Sequence, residues 1–574
     1  MKVLLVSSAF NSLTQRLFTE LREGGHTVER LTTADGDDAV RRAVRGSAPE
    51  LVLASDPAPP LPEDVRTAHR CLAVHPAPPG DRGPSPLDWA LREGADRWGV
   101  TVLEASREPG AGDVWASVAC EVPPAGKGDF LRGEIADAAA EAVLLAVGRV
   151  ASGTYRPVPQ SALEARSVRR PLLSQELRRV DWERDSTATV LAKLRGADSS
   201  PGVLDDLLGG EWYLHGGHPE DRLAGRPGQL LATRAGAICR ATADGAVWIP
   251  ELRPRRRPGA PSAVRLPATL ALGGLLPDLP EVHAPLRLPA QRRTWTDIQY
   301  AERGPVGHLR FSFPGGAMST SHCRRLLAAY RFARNRPTSV IVLGGARDFF
   351  STGIHLHAIE GADDPAKESW ANTTALNDLV EAVLTTTDRL VVAALGGHAA
   401  AGGAMLALAA DEVWCRSGSL FNPHYRATGL YGSALWTYVL PRRAGKERAA
   451  TLAEEGMPVG AAEARRTGLA DRVVDCAPRE FGGEVVRMAA ELAGDPGLGA
   501  RIAEKKPARE RAEEIRPLRA YREEEQERMR RAFFNESDPY HARRAAFVRS
   551  GWAPLTPAGR TELPAPPVKD MTWA

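Results

Sequence analysis

Between residues 252 and 289 the chain reads LRPRRRPGAPSAVRLPATLALGGLLPDLPEVHAPLRLP, a stretch dense in Pro, Gly and Arg with no sustained helical or strand period. Each proline fixes φ and removes a backbone donor, so no long helix or central strand can run through it. We read residues 251–292 as a linker packed over the surface. A chain of 574 residues is in any case too long for one hydrophobic core. The Arg255–Arg257 run could bind an anionic group, but a solvated connector is the plainer reading.

Residues 1–150 alternate strand and helix patterns: KVLLV, a helical Leu13 to Glu23, HTVERL, a helix near Asp37 to Val44, then ELVLAS. That rhythm predicts a parallel sheet with helices on its faces. Residues 151–250 predict a helix feeding a small β-barrel, through GQLLATRAGAICRAT and GAVWIPEL. Residues 293–500 start a second α/β unit with GHLRFSF, SVIVLGG, RLVVAAL and DEVWCR as strands. Residues 501–574 are a charged helical tail, with Ile515, Leu518, Tyr521 and Met529 on its predicted inner face and packing as its expected job.

Composition excludes some partners. The 74 basic and 71 acidic side chains nearly cancel, which predicts neither a nucleic-acid nor a membrane partner. Six scattered cysteines show no CxxC pairing, which argues against a zinc site or disulfide scaffold and for a reducing, cytoplasmic setting. The opening MKVLLVSSAF meets polar Asn11, Ser12 and Thr14 at once, so it reads as a buried strand, not a signal peptide.

The segment CLAVHPAPPGDRGPSPLDWALREGADRWGVTVLEASREPGAGDVWAS sets His75 at a strand end before a Pro/Gly-rich loop, where open α/β sheets bind ligands. The pattern resembles the folate-dependent formyltransferases, in which a His and an Asp flank the formyl group and move protons. His75 matches that His and Asp113, in GAGD, that Asp; Asp81, Arg82, Gly83 and Ser85 line the loop between them as expected folate contacts. A tetrahedral intermediate on the formyl carbon needs a donor near its oxyanion, and a carboxylate can orient or charge the imidazole. The Asn that precedes the His by two residues in methionyl-tRNA formyltransferase is Ala73 here. Either another donor holds the formyl oxygen or the acceptor differs. DWERDSTATVLAKLRGADSSPGVLD resembles the C-terminal, OB-like barrel of the same enzymes.

RDFFSTGIHLHAIEG and HAAAGGAMLALAADEV resemble the two crotonase signatures, which build an oxyanion hole from two backbone amides. By register these are the amides of Ile354, after Gly353, and Gly402, before Gly403. The two catalytic glutamates of enoyl-CoA hydratases fall on Met405 and on or beside His424, so hydration of an enoyl-CoA is not expected. FNPHYRATGLYGSALWTYVLPRRAG, AKESWANTTALNDLVEAV and PGGAMSTSHCRRLLAAY resemble the HypX family of hydrogenase-maturation proteins, and the likeness spans nearly the whole chain.

That resemblance implies formyl transfer from 10-formyltetrahydrofolate to coenzyme A, then decarbonylation of formyl-CoA to the CO that becomes an iron ligand in [NiFe]-hydrogenase. Hydrogenase maturation proteins are the macromolecular partners it implies. Tyr425 matches the family Tyr of NPHY, but the family Glu of YGSEYW is Ala434, followed by Leu435. A tyrosine with an ordinary pKa of about 10 is only about 0.1% ionised at pH 7 and a poor base unaided. Tyr431, His424 or His355 are the candidates to compensate. Two other readings stay open: formylation of another acceptor, such as an amine, and a non-catalytic maturation scaffold.

Overall fold

The computed structural model describes residues 1–32, 36–55, 61–163, 167–256, 259 and 263–550. Arg257 and residues 551–574 of the expected tail lie outside them. The described chain forms two compact units, Met1–Ala263 with Ala268–Pro280, and Glu281–Arg549 with Val264–Pro267.

The first unit is built on a six-stranded sheet, in the order Thr27–Thr32, Lys2–Ser7, Leu51–Ala54, Cys71–His75, Arg97–Glu104, Val114–Glu121. The first four strands are parallel, as the apolar runs of Lys2–Ser7, Leu51–Ala54 and Cys71–His75 predict, with the more polar Thr27–Thr32 at the edge. Arg97–Glu104 alone is reversed, antiparallel to both Cys71–His75 and Val114–Glu121, which departs from the all-parallel expectation. The loop between Glu104 and Val114 makes the last pair a hairpin, being shorter than the dozen or so residues a parallel crossover takes. It brings the GAGD turn back beside the end of Cys71–His75.

The barrel portion holds Gly210–His215 between Val203–Leu207 and Glu251–Pro254, all antiparallel, and a second antiparallel set of four short strands. Val190, Leu194, Leu214, Ile249 and Leu252 fill its core. The linker reading is corrected at two points. Glu251–Pro254 is a strand, and Ala268–Leu272 is a helix whose Ala268 and Leu272 enter the same core. Pro254 stands at the strand's end and Pro267 just before the helix, the positions proline tolerates.

The second unit repeats one pattern: a buried strand, a short strand turned away from it, then a helix. Val306–Phe311, Val340–Gly344, Leu390–Leu395, Glu412–Arg416 and Arg472–Val474 lie parallel in one sheet, edged by antiparallel Ile298–Arg303. The short strands Phe349–Ser351, His398–Ala400 and Leu420–Asn422 pair in a second layer. Helix Ala401–Leu408 follows His398–Ala400 directly.

The charged tail is integral to this unit. Leu518–Phe534 buries Leu518, Met529 and Phe533, and Tyr540 of the next helix is fully buried with them. Ile515 is 76% exposed, contrary to its expected inner place, because the helix breaks between it and Leu518 at Pro517.

The cysteines are free thiols, and burial raises Cys71, Cys120, Cys239 and Cys415 to about 12. No helix among the described residues is long and apolar enough to cross a membrane.

Candidate functional sites

In the first unit His75 ends its strand almost fully buried, and its Nε2 lies 2.9 Å from the Asp81 carbonyl oxygen. A carbonyl can only accept, so Nε2 carries the proton and Nδ1 is the free-electron-pair nitrogen. Burial, the largest effect, lowers the imidazole pKa and keeps the ring neutral.

The GAGD turn closes over this ring. Gly110 has φ +78°, and a Cβ there would stand 3.0 Å from His75 Nε2. Gly112 leaves no room at all, since its Cβ would fall 1.8 Å from the Glu104 carbonyl oxygen. Asp113 is half-buried; its carbonyl accepts from Glu104 N at 2.9 Å, and its carboxylate bonds no described residue. The turn that carries Asp113 therefore lies against the His75 ring through Gly110, with no hydrogen bond between the two side chains among the described residues.

Gln160, which the sequence reading missed, joins the two loops. Its Nε2 donates to the Gly110 and Gly112 carbonyls at 2.8 and 2.7 Å, and its Oε1 accepts from Gly80 N at 3.0 Å. The four expected folate contacts have structural partners of their own. Asp81 Oδ2 accepts from Arg170 Nε at 2.6 Å, while its buried Oδ1 has no partner among the described residues. Arg82 pairs backbone with Arg169, and a Cβ at Gly83 would overlap the Arg170 carbonyl oxygen at 2.1 Å. Ser85 holds φ +65° before helix Pro86–Arg92, without capping it through its side chain.

In the second unit two glycine-rich segments meet. Gly353 has φ +85°, and a Cβ there would stand 3.1 Å from Gly402 N; one at Gly403 would fall 2.3 Å from the Ser351 carbonyl oxygen. Helix Ala401–Leu408 begins at this contact with no side-chain cap, so its positive end and first-turn amides stand beside the Gly353–Ile354 backbone. Ala434 approaches from the other side, 3.7 Å from where a Gly402 Cβ would lie. It is fully buried, as is Met405.

Tyr425 packs near Trp436, and its hydroxyl donates to the Ser433 carbonyl at 2.5 Å. Burial first, and then the Glu525 charge, push its pKa well above the ordinary tyrosine value. Tyr425 in this state is a hydrogen-bond donor, not a base. Tyr431 has a buried hydroxyl with no described partner, and burial raises it to about 12 despite Arg528 4.3 Å from its ring. His424 and His355 are each lowered to about 4 by burial. His355 Nδ1 accepts from Ala358 N at 3.1 Å, capping helix Leu356–Glu360, so it is neutral and engaged.

A second residue the sequence reading missed is Glu525, 0% exposed on helix Leu518–Phe534. Its carboxyl accepts from Leu435 N and Thr437 N, both at 2.9 Å, and from Thr437 Oγ1 at 2.6 Å.

A strand-end histidine under a Gly-Asp turn, joined in sequence to a spiral of strand–strand–helix turns with paired backbone amides, defines the class: a formyltransferase-type unit followed by a crotonase unit. Residues 172–262 match the formyl transferase C-terminal domain family, and residues 307–547 match the enoyl-CoA hydratase/isomerase family. The chain belongs to the HypX/HoxX family of hydrogenase maturation factors. It is 43% identical over 570 residues to the hydrogenase maturation factor HoxX of Bradyrhizobium diazoefficiens, covering 99% of this chain and 98% of that one. The crystal structure of HypX from Aquifex aeolicus in complex with tetrahydrofolic acid superposes with a TM-score of 0.92 at 39% identity, covering 96% of each chain. A methionyl-tRNA formyltransferase of Anaeromyxobacter dehalogenans is 30% identical over 203 residues, 35% of this chain and 62% of that one. The match that reaches residue 547 takes in the helices first read as a separate tail.

Proposed function

We propose that this chain transfers the formyl group of 10-formyltetrahydrofolate to the thiol of coenzyme A and then splits formyl-CoA into CO and coenzyme A. The observation that carries the reading is the pairing, in one chain, of a neutral His75 under the Asp113 turn with the close-packed Gly353–Ile354 and Gly402 amides. The tetrahydrofolic acid held by the Aquifex relative supports the folate half.

In the first step sulfur attacks the formyl carbon, the C–N bond breaks, and the thiol proton ends on the folate nitrogen. His75 has the right state for this, because its Nδ1 lone pair can take the thiol proton and return it to the leaving nitrogen. Asp113 stabilises the imidazolium that exists between those transfers. Ala73 cannot donate to the formyl oxygen, so the donor comes from elsewhere on the rim.

In the second step the formyl hydrogen leaves carbon as a proton, the C–S bond breaks, and sulfur gains a proton. No oxidant or reductant is required. The amides of Ile354 and Gly402 hold the thioester oxygen, each donor contributing about 3 kcal/mol to such a transition state. Turned from the Ser433 carbonyl on substrate binding, the Tyr425 hydroxyl supplies a hydrogen bond toward the departing sulfur.

The absence of an acidic side chain at Ala434 favours one competitor, formylation of a different acceptor such as an amine. Folate turnover separates the two. Release of tetrahydrofolate that requires coenzyme A supports this reading, whereas release that requires an added amine and ignores coenzyme A overturns it. A folded His75→Ala variant that retains wild-type turnover would remove His75 from the mechanism.

A further inference from the structure

The segment Ser433–Thr437 is held in an unfavourable backbone shape. Ala434 and Leu435 are consecutive left-handed residues, at φ +64° and +57°, a region that L side chains rarely adopt. Helix Trp436–Ala444 then begins without a cap from its own N-cap side chain. Two distant side chains supply what the turn lacks. Asn377 Oδ1 accepts from Ala434 N at 2.7 Å, and the Glu525 carboxyl accepts from Leu435 N, Thr437 N and Thr437 Oγ1. The turn in turn presents the Ser433 carbonyl to the Tyr425 hydroxyl and sets Ala434 against Gly402.

Burying a carboxyl this completely is costly, and here burial outweighs three hydrogen bonds and raises its pKa to about 8. A residue used only for packing would not need to be acidic. The two carboxyl oxygens face two separate backbone N–H groups. A carboxylate accepts from both; a protonated carboxyl does so too, its O–H donating a hydrogen bond to Thr437 Oγ1. An amide has one acceptor oxygen and must present N–H to one of the backbone donors.

We propose that Glu525 is a positioning residue for the thioester site: from the C-terminal helix it fixes the Ser433–Thr437 turn and thereby the direction of the Tyr425 hydroxyl. This deepens the proposed formyl-CoA cleavage and rests on it only for the kinetic readout.

The test uses the full chain labelled with 3-fluorotyrosine, the Tyr425 resonance being assigned by its loss in Tyr425→Phe. Glu525→Gln is compared with Leu492→Ala, a core truncation in a separate cluster of the same unit. Glu525→Gln is expected to shift the Tyr425 fluorine resonance and to lower kcat on supplied formyl-CoA at least tenfold with KM changed less than twofold. Leu492→Ala, at an equal or larger fall in Tm, is expected to change neither. An unshifted Tyr425 resonance in folded Glu525→Gln overturns the proposal, as does an equal response in Leu492→Ala. Should Glu525→Gln fail to fold, Thr437→Val, which removes only the hydroxyl bond, is expected to give a smaller shift in the Tyr425 resonance, and no shift there overturns the proposal. A wild-type chain inert toward formyl-CoA refutes the proposed function alone, because the fluorine shift still decides the positioning.

Discussion

The Tyr425 hydroxyl points at the Ser433 carbonyl oxygen, 2.5 Å away, so the one acidic proton of this ring is already committed within the protein. A phenol so placed gives hydrogen bonds and does not ionise near neutrality. Tyr425→Phe is expected to cost only about 1 kcal/mol of stability. It should lower turnover of supplied formyl-CoA at least tenfold while leaving folate-dependent formyl transfer to coenzyme A intact. Separate assays of the two half-reactions check this, and equal loss in both would remove Tyr425 from the thioester step.

Gln160 ties the His75 loop to the Asp113 turn through three hydrogen bonds. Gln160→Ala leaves the Gly80 amide and two carbonyls to find other partners, each buried group costing about 1–3 kcal/mol if it finds none. Formyl transfer is expected to fall at least tenfold, with cleavage of supplied formyl-CoA within twofold of wild type. Initial rates of the two half-reactions measure both effects.

Gly353 lies with its backbone against the Gly402 amide. Gly353→Ala forces a Cβ to 3.1 Å from Gly402 N at φ +85°. The pattern expected is the reverse of the previous one: thioester cleavage lost, formyl transfer retained. Retained cleavage would show that the Ile354 and Gly402 amides do not form the oxyanion site.

Buried His355 has its pKa lowered to about 4, so between pH 6.5 and about 4 the unfolded chain binds a proton that the folded chain refuses. Stability therefore rises with pH across that window and is lost as pH falls, at about 1.4 kcal/mol per pH unit for one proton. His355→Asn keeps a side-chain acceptor for the helix cap and removes the titration. Urea unfolding at pH 7 and pH 5.5 should show a shallower loss in the variant.

Glycine spacing made much of both sites legible in the sequence. A Cβ at Gly403 would overlap the Ser351 carbonyl and one at Gly402 would crowd Leu376, while Gly353 and Gly110 hold positive φ; Gly112 of GAGD has no room beside the Glu104 carbonyl. The residues that brace these sites left weaker traces. Gln160 works from 85 positions away, after a Pro-rich segment that carries no periodic signal. Glu525 sits in YREEEQERM beside exposed Glu523, which reads identically in composition. Its trace was positional: it falls seven residues after Leu518 and four before Met529, on the buried stripe, where an acidic residue needs a reason. The antiparallel end of the first sheet was hidden because a buried strand's apolar run looks alike in either direction.

Under the proposed function one chain carries a formyl group from folate to free CO. The direct measurement supplies 10-formyltetrahydrofolate labelled with carbon-13 in the formyl group, together with coenzyme A, and traps gas on reduced haemoglobin. Labelled CO is expected in amounts matching the tetrahydrofolate released, and none without coenzyme A. Accumulation of labelled formyl-CoA with no CO, or release of tetrahydrofolate that ignores coenzyme A, would contradict it.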